Sequence, residues 1–433
     1  MDRMSESFGR RIQSHIYRRG VLGHLPTVPV HPDRLQKKAA HAMSKTARAY
    51  VEGGAGRGDT MRANREAFNR WRIVPRMMRN TTVRDTSVEL FGRTLPSPFL
   101  TAPIGVAEMA HTDADLGLAR GARAADVPVI ISTQASHSTE QIVAEMGDHP
   151  RWFQLYWSSD DALAESLVRR AEASGCEAIV VTLDTTMLGW RPEDLDHAWL
   201  PFARGMGIAQ YTADPVFQER VRARVAEGAD GGGEPLPRPR PGALRSLATL
   251  SRTYPGASWE NVRSPEPRAA VETFLRLFSR QDLTWDRLSW LAERTSLPLL
   301  VKGIQHADDA ALAVEAGAEG IVVSNHGGRQ VDGAVGSLDA LPGVVERVGG
   351  QVPVLFDSGV RCGADAFKAL ALGADAVCIG RPWVYGLALG GADGVQQVLE
   401  SFRAELELTM GLAGVTSLAE VNTSALEASG VQV

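Results

Sequence analysis

The chain has 433 residues, of which 44% are hydrophobic and 22% charged, with a formal net charge of −5. That is enough apolar material for one large core, and a single (β/α)8 unit of about 200 to over 400 residues accommodates the length. The acidic balance argues against a nucleic-acid scaffold, which needs a basic surface to neutralise phosphates. Cys176, Cys362 and Cys378 show no Cys-x-x-Cys spacing, so neither a disulfide framework nor a zinc site is expected, and a reducing compartment fits. Met1 to Arg19 carries Arg, Ser and Glu without the apolar centre of a secretory leader. No apolar run approaches the roughly 18 residues of a membrane span. A cytoplasmic protein is expected, with no membrane and no nucleic-acid partner.

Residues 1–97 read as a helical segment followed by a hairpin. Ala47 to Val51 ends a helix that stops at Gly53-Gly54, where glycine favours a cap and turn. Ala63 to Trp71 predicts a second short helix. Ser87 to Leu90, then Phe91-Gly92-Arg93, predict the hairpin. From residue 98 a different rhythm begins, with short apolar runs alternating with Ala-rich helical stretches. The runs are Phe99–Pro103, Pro128–Ser132, Trp152–Tyr156, Ala178–Asp184, Pro298–Gly303, Gly320–Asn325, Pro353–Gly359 and Ala376–Arg381. Most lack polar alternation, as parallel strands covered on both faces do. Eight such runs separated by helices fit a (β/α)8 barrel or a doubly wound sheet, and their number and polar C-terminal ends favour a (β/α)8 TIM barrel over 98–433, with the preceding residues as an N-terminal extension.

One gap is an outlier. Between Asp184 and Lys302, roughly 90 residues are surplus to one βαβ unit of about 30 residues. Within it, Gly228-Ala229-Asp230-Gly231-Gly232-Gly233 and Pro235 to Pro241 are too rich in Gly and Pro to bury a core and are expected to be mobile. An insertion after strand 4 leaves a barrel on its C-terminal face, so residues 192–284 are expected to form a lid.

Active sites of such barrels lie at the strand C-termini. Here nearly every strand ends in polar residues, each of which costs a few kcal/mol if buried without a partner. Arg361 and Arg381 follow strands 7 and 8, the usual phosphate site. Gly359 and Gly380 beside them let backbone N–H groups approach an anion. Lys302 is a fixed cation, and Ser132, Gln154 and Thr182 suit the edges of a planar heterocycle. Together these predict a flavin nucleotide, with the cation facing charge on the reduced ring. His326 is the acid–base candidate. Asp184 is placed to orient its ring. Arg191 and Arg329 offer two forks for a carboxylate, and Tyr50 and Tyr156 offer hydroxyl donors. The substrate implied is a small hydroxy acid. No cluster has metal-ligand spacing, so no metal is expected. Two other readings share these residues: a barrel isomerase or aldolase holding a phosphorylated substrate on Arg361 and Arg381, and a non-catalytic binding protein on the same scaffold.

The strings Ser324-Asn325-His326-Gly327-Gly328-Arg329-Gln330, Phe153-Gln154-Leu155-Tyr156, Leu300-Val301-Lys302-Gly303, Asp357-Ser358-Gly359-Val360-Arg361 and Ile379-Gly380-Arg381-Pro382 closely resemble the FMN-dependent 2-hydroxy acid oxidase and dehydrogenase family. Tyr50 followed by Gly53-Gly54-Ala55 does so too. The resemblance covers roughly 45–210 and 280–425. It implies FMN as cofactor, bound by Thr101, Ala102, Ser132, Gln154, Thr182, Ser324, Asp357, Arg361, Gly380 and Arg381, with Lys302 near the flavin N1–C2 edge. It implies His326 as base with Asp184 behind it, and Arg191, Arg329, Tyr50 and Tyr156 on the substrate. It further implies a small (S)-2-hydroxy acid substrate, O2 as electron acceptor and a homotetramer or homo-octamer.

Within that family the chain looks most like the lactate 2-monooxygenase group, which decarboxylates the 2-oxo acid with peroxide before release. The similarity rests on Tyr17 to Pro29, on Gly105 in Ala102-Pro103-Ile104-Gly105-Val106, and on Leu188 to Pro192 followed by Asp214 to Gln218. An oxidase releasing 2-oxo acid and peroxide, or a dehydrogenase, uses the same site. Thr186-Met187 stands where many members carry Pro-Arg, and the insertion around Gly228–Pro265 is longer than expected for that group. Both departures flank the substrate entrance and bear on lactate itself more than on the reaction class.

Overall fold

The computed structural model describes residues 7–230 and 241–429. Of the stretch expected to be mobile, residues 231–240 lie outside the described residues. Eight strands close a parallel barrel in chain order: β1 (Phe99–Thr101), β2 (Val129–Ser132), β3 (Arg151–Tyr156), β4 (Ile179–Thr182), β5 (Leu299–Ile304), β6 (Gly320–Val323), β7 (Val354–Phe356) and β8 (Ala376–Ile379). Ile379 of β8 registers with Thr101 of β1 to complete the ring. The strands are shorter than the apolar runs that announced them. Pro103, Asp184, Asn325, Gly359 and Arg381 leave the ladder and turn over its C-terminal mouth.

Strand periodicity sorts the side chains. Phe99, Ile131, Phe153, Val181, Val301, Val323, Phe356 and Val377 face the helices. Leu100, Ile130, Trp152, Val180, Leu300, Val322, Leu355 and Cys378 fill the barrel interior. Fully burying a large apolar side chain contributes on the order of 1.5–3 kcal/mol, so this double layer fixes the register of every strand. The hairpin of Val88–Leu90 and Arg93–Leu95 plugs the N-terminal end of the barrel. Leu90 and Leu95 join the interior cluster, and the Phe91 ring meets Trp152 edge-on at 5.5 Å.

Four helices precede the hairpin: Phe8–Val21, Pro32–Ala42, Lys45–Glu52 and Asp59–Asn69. The last differs from the helix expected over Ala63 to Trp71. Gly58, at φ +78°, turns the chain into it early, and Trp71 begins a short strand that pairs with Ala428 near the C-terminus. The helix Lys45–Glu52 stops at Gly53 in ordinary extended geometry. Glycine is needed there because a Cβ would collide with the Ala49 carbonyl.

The insertion after β4 is mostly helical, with Pro192–Asp196, Pro215–Asp230, Pro241–Thr253 and Glu266–Leu277 as its longer pieces. It has aromatic packing of its own, with Tyr211 and Phe202 on Phe274 at 4.8 and 5.3 Å. Asp214 straps it to the helix Asp161–Ala173 through Ser166 at 2.8 Å and Arg170 at 3.4 Å. No helix among the described residues is long and apolar enough to cross a membrane.

Candidate active site

The interior parity of each strand continues past its apolar rung into a polar one. Ile130 is followed two residues on by Ser132, Trp152 by Gln154 and then Tyr156, and Val180 by Thr182 and then Asp184. Likewise Leu300 leads to Lys302, Val322 to Ser324 and then His326, Leu355 to Asp357, and Cys378 to Gly380. A two-residue repeat thus raises a ring of polar groups over the apolar floor. Thr101 breaks the set. It shares the parity of Phe99 and faces the helices, while its neighbour Ala102 lines the cavity. Thr101 N donates to Pro128 O at 3.0 Å, and its hydroxyl is buried without a partner.

His326 sits in a left-handed turn at φ +58°, followed by Gly327 at +65° and Gly328 at +75°. A non-glycine residue held there costs on the order of 1–3 kcal/mol, so the turn is fixed by its neighbours. Ser324 Oγ accepts from His326 N at 3.1 Å, and Ser358 Oγ accepts from Gly327 N at 3.0 Å. The ring Nδ1 donates to Asp184 Oδ1 at 2.7 Å, and the Thr185 hydroxyl donates to the same oxygen at 3.0 Å. Tyr156 Oη lies 3.4 Å from Nε2 on the other side.

Burial pushes the His326 pKa below the usual imidazole range, against the pull of Asp184 and with the repulsion of Lys302 and Arg191. Burial alone would raise Asp184, but the His326 and Lys302 charges and two hydrogen bonds hold it at about 2. The pair is therefore a neutral imidazole with Nε2 turned away from the carboxylate, beside Tyr156 Oη, and a carboxylate fixed behind it, an arrangement that can accept a proton from a hydroxyl. Gly303, at φ +108°, makes room for Asp184, because a Cβ there would lie 2.7 Å from the Asp184 Cβ.

Lys302 Nζ is buried, 3.1 Å from Asp357 Oδ2 and 2.8 Å from Ser324 Oγ. Burial disfavours its charge, but Asp357, Asp184 and Tyr156 outweigh that and hold its pKa above the ordinary lysine value. Asp357 and Ser324 thus anchor the lysine head.

Arg191, Arg329, Arg361 and Arg381 line the same cavity as His326. Arg381 donates to Val51 O, Gly53 O and Gly327 O, Arg329 to Tyr50 O and Gly53 O, and Arg361 to Val360 O. Arg191 donates to Arg329 O and to the Gln330 amide oxygen at 2.9 Å. Among the described residues, none of the four forms an ion pair with a carboxylate. Burial followed by repulsion from Arg191 lowers Arg329 to about 9, and burial lowers Arg361 to about 10. Buried guanidinium groups held only by neutral acceptors call for anions. Tyr50 is stacked under Arg329, its ring centroid 5.1 Å from the guanidinium carbon.

The cavity has an empty volume of about 980 Å³ counting its open mouth, within the range of cofactor pockets. Gln154 and Thr182, on the ends of β3 and β4, do not line it, but Gln154 Nε2 and Thr182 Oγ1 are buried without a partner, while Gln154 Oε1 accepts from Ser132 Oγ at 3.2 Å. Orphaned donors on one side and unpaired guanidinium groups on another fit a polar heterocycle carrying a phosphate. Gly380 offers open space, with the nearest side-chain atoms 3.8 Å from a notional Cβ. Gly359 lines the cavity as well. Its φ is +89°, and a Cβ would lie 2.8 Å from Asn64 O, so glycine there also admits a neighbouring helix.

Several lining or supporting residues had not been singled out. Thr185 adjoins Asp184, and adjacency was its one available signal, whereas Gln330 closes the string Ser324 to Gln330 without having been given a role. Leu188, Gln134 and Phe202 also line the cavity. Phe202 arrives from the insertion, and nothing in its local sequence marks it.

The profile of the FMN-dependent dehydrogenase family matches residues 39–428. The chain is 42% identical over 414 residues to an FMN-dependent alpha-hydroxy acid dehydrogenase of Penicillium citrinum, covering 95% of this chain and 94% of that one. It is 41% identical over 392 residues to an L-lactate oxidase of Lysinibacillus sphaericus, covering 90% and 91%. Among solved structures, mandelate oxidase superposes with a TM-score of 0.73 at 34% identity, over 92% of this chain and 98% of that one. With a closed parallel barrel and a cavity that suits FMN at its C-terminal mouth, the chain belongs to the FMN-dependent 2-hydroxy acid dehydrogenase and oxidase family and is an FMN-dependent 2-hydroxy acid oxidoreductase.

Proposed function

We propose that the chain oxidises a small (S)-2-hydroxy acid with O2 as acceptor, and that the 2-oxo acid is retained and oxidatively decarboxylated, as in lactate 2-monooxygenases. The observation that carries the oxidation is a neutral His326, backed by Asp184, in one cavity with two guanidinium groups that lack a carboxylate. Arg191 and Arg329 hold the substrate carboxylate, and Tyr50 and Tyr156 donate to its oxygens. His326 Nε2 takes the hydroxyl proton, and Asp184 stabilises the imidazolium that forms. Bound FMN supplies a two-electron acceptor for the hydrogen at the substrate Cα. Ser132, Gln154, Thr182 and Lys302 hold its ring, with Ser324 and Asp357 anchoring the lysine. Arg361, Arg381 and Gly380 take the phosphate, and Ala102 and the Thr101 backbone form a wall.

The overall balance is hydroxy acid plus O2 to 2-oxo acid plus hydrogen peroxide. A retained 2-oxo acid and peroxide then give the acid one carbon shorter, CO2 and water. Support for retention comes from the insertion, which we assign as the lid because Phe202 walls the cavity. A plain oxidase is the second reading, supported by the likeness to an L-lactate oxidase. Gly105 lines the cavity, and a Cβ there would lie 2.7 Å from Gln134 Cβ and 2.9 Å from Gln134 O, so the glycine also serves loop packing.

The test is aerobic turnover with a panel of (S)-2-hydroxy acids, without catalase. The shortened acid and CO2 in proportion to O2 consumed support retention. Stoichiometric peroxide and free 2-oxo acid establish the oxidase, and absence of flavin bleaching by every member overturns the whole reading. A cytoplasmic homotetramer or homo-octamer belongs to the same proposal, and light scattering of the holoenzyme tests the assembly.

A further inference from the structure

The turn that carries His326 is held from outside the barrel. Asn64, in the helix Asp59–Asn69, is buried 261 positions before Asn325. The two side-chain amides bond reciprocally: Asn64 Nδ2 donates to Asn325 Oδ1 at 2.8 Å, and Asn325 Nδ2 donates to Asn64 Oδ1 at 2.7 Å. Asn325 Oδ1 also accepts from Gly328 N at 3.1 Å, which closes the left-handed turn around His326. Asn64 Oδ1 also accepts from Ser337 N at 2.9 Å, where the next barrel helix begins. The same short helix grips the loop further along. Thr60 Oγ1 donates to Val331 O at 2.8 Å and accepts from Ala334 N at 2.9 Å, while Asp332 Oδ1 accepts from Thr60 N at 3.1 Å.

One residue on from Asn64, the helix reaches the neighbouring strand end. Arg65 pairs with Asp365 at 2.7 Å and donates to Gly359 O. Asp365 in turn accepts from Arg361 N at 2.9 Å. Gly359 has no side chain where the helix backbone passes, with Asn64 O 2.8 Å from a notional Cβ.

We infer that the helix Asp59–Asn69 is a working part of the active site, with Asn64 the positioning residue for His326 and Arg65 the positioning residue for the phosphate-side turn at Gly359–Arg361. A non-glycine residue in the left-handed region stays there only while its surroundings hold it. Asn325 Oδ1 closes the turn, and its amide is fixed by Asn64 together with Val335 O, to which Nδ2 donates at 3.1 Å. Loss of Asn64 removes one of these anchors and lets the turn shift, which moves the imidazole away from Asp184 and from the reacting hydroxyl. This inference rests on His326 being the base.

The experiment compares holoenzymes of wild type, Asn64→Ala, Arg65→Met, His326→Ala and the exposed control Glu66→Ala. The probe is whichever of glycolate, (S)-lactate, (S)-2-hydroxybutyrate and (S)-mandelate bleaches the wild-type flavin fastest under anaerobic conditions. For Asn64→Ala, flavin reduction at saturating substrate is expected to fall about 10²-fold, the scale of an ångström-sized misplacement. KM and FMN affinity should be retained, and the acid limb of the pH profile should move. For Arg65→Met, the dissociation constant of FMN, measured by quenching of flavin fluorescence on apoprotein, is expected to rise. If Asn64→Ala is insoluble, Asn64→Asp keeps the oxygen that Ser337 and Asn325 donate to and sets a carboxylate oxygen, in place of the donor, against Asn325 Oδ1. It is expected to show the same kcat-selective fall. Wild-type reduction rate and pH profile in the soluble Asn64 variant, with His326→Ala inactive, overturn the clamp alone. Retained reduction in His326→Ala overturns the underlying reading instead. Equal losses of kcat, KM and FMN affinity in Asn64→Ala assign the helix a merely structural role.

Discussion

Tyr156 Oη lies 3.4 Å from His326 Nε2, on the side of the ring away from Asp184. One ring nitrogen is committed to the carboxylate, and the other is presented to the cavity beside a hydroxyl. That division of labour sets most of the expectations below.

Replacing His326 with Ala removes the one imidazole in the cavity lining and leaves the residues proposed to hold FMN in place. The variant is expected to purify yellow and to reduce its flavin about 10²–10⁴-fold more slowly, the usual contribution of a general base. Stopped-flow anaerobic reduction measures this. A variant keeping more than about a tenth of the wild-type rate removes His326 from the role.

The pH dependence follows from the direction of the His326 shift. Its pKa is depressed in the fold, so the base stays unprotonated as pH falls through the ordinary value of about 6.5. The acid limb of kcat/KM, which reports the free enzyme, should therefore lie below that value. Asp184→Asn removes an influence that raises the pKa, so the limb should move further down while the rate falls. A limb above about 6.5 in the wild type contradicts the burial argument.

Arg329→Met should raise KM and lower kcat together with FMN occupancy intact, since the guanidinium has no carboxylate of its own. Arg329→Lys should not rescue it, because an ammonium cannot reproduce the fork or its stacking on Tyr50. Steady-state kinetics with flavin-to-protein absorbance ratios decide the point, and unchanged constants place the substrate carboxylate elsewhere.

Gly105→Ala drives a methyl into Gln134. Overpacking of this kind costs about 1–3 kcal/mol, so a lower melting temperature is expected. The loops after β1 and β2 must part to relieve the contact, and the cavity wall is expected to loosen. The fraction of 2-oxo acid escaping with peroxide should rise. An unchanged product ratio in a destabilised variant leaves Gly105 a packing glycine only.

Phe202→Leu tests the insertion as a wall. The Phe202 ring is buried against Phe274 and also lines the cavity, so the smaller side chain should cost about 1–3 kcal/mol. It should also admit longer 2-hydroxy acids, as read by relative kcat/KM across a chain-length series. Unaltered selectivity removes Phe202 from the cavity wall.

The barrel and most of the ring at its mouth were legible in the sequence. Eight short runs, most without polar alternation, suit parallel strands under helices, and their number and polar ends favour a closed barrel over a doubly wound sheet. The period of two then places Ser132, Gln154, Thr182, Lys302, Ser324 and Asp357 on the side that Leu100 and Ile130 fill lower down. The same parity, applied to Thr101, separates it from Ala102. Element ends were less legible. Trp71 carries nothing locally that separates a helix end from a strand, and its partner Ala428 is far away in the chain.

Only the tertiary structure decided how the distant pieces support the site. Asn64 and Asn325, 261 positions apart, carry no periodic or motif signal linking them. Phe202 reaches the cavity through an insertion whose packing depends on Tyr211 and Phe274. Gly359, expected beside an anion, lines the cavity and is also passed closely by a helix from outside the barrel. In each case the deciding interaction is a contact between segments, and local propensity and side-chain period describe a segment only against its own neighbours.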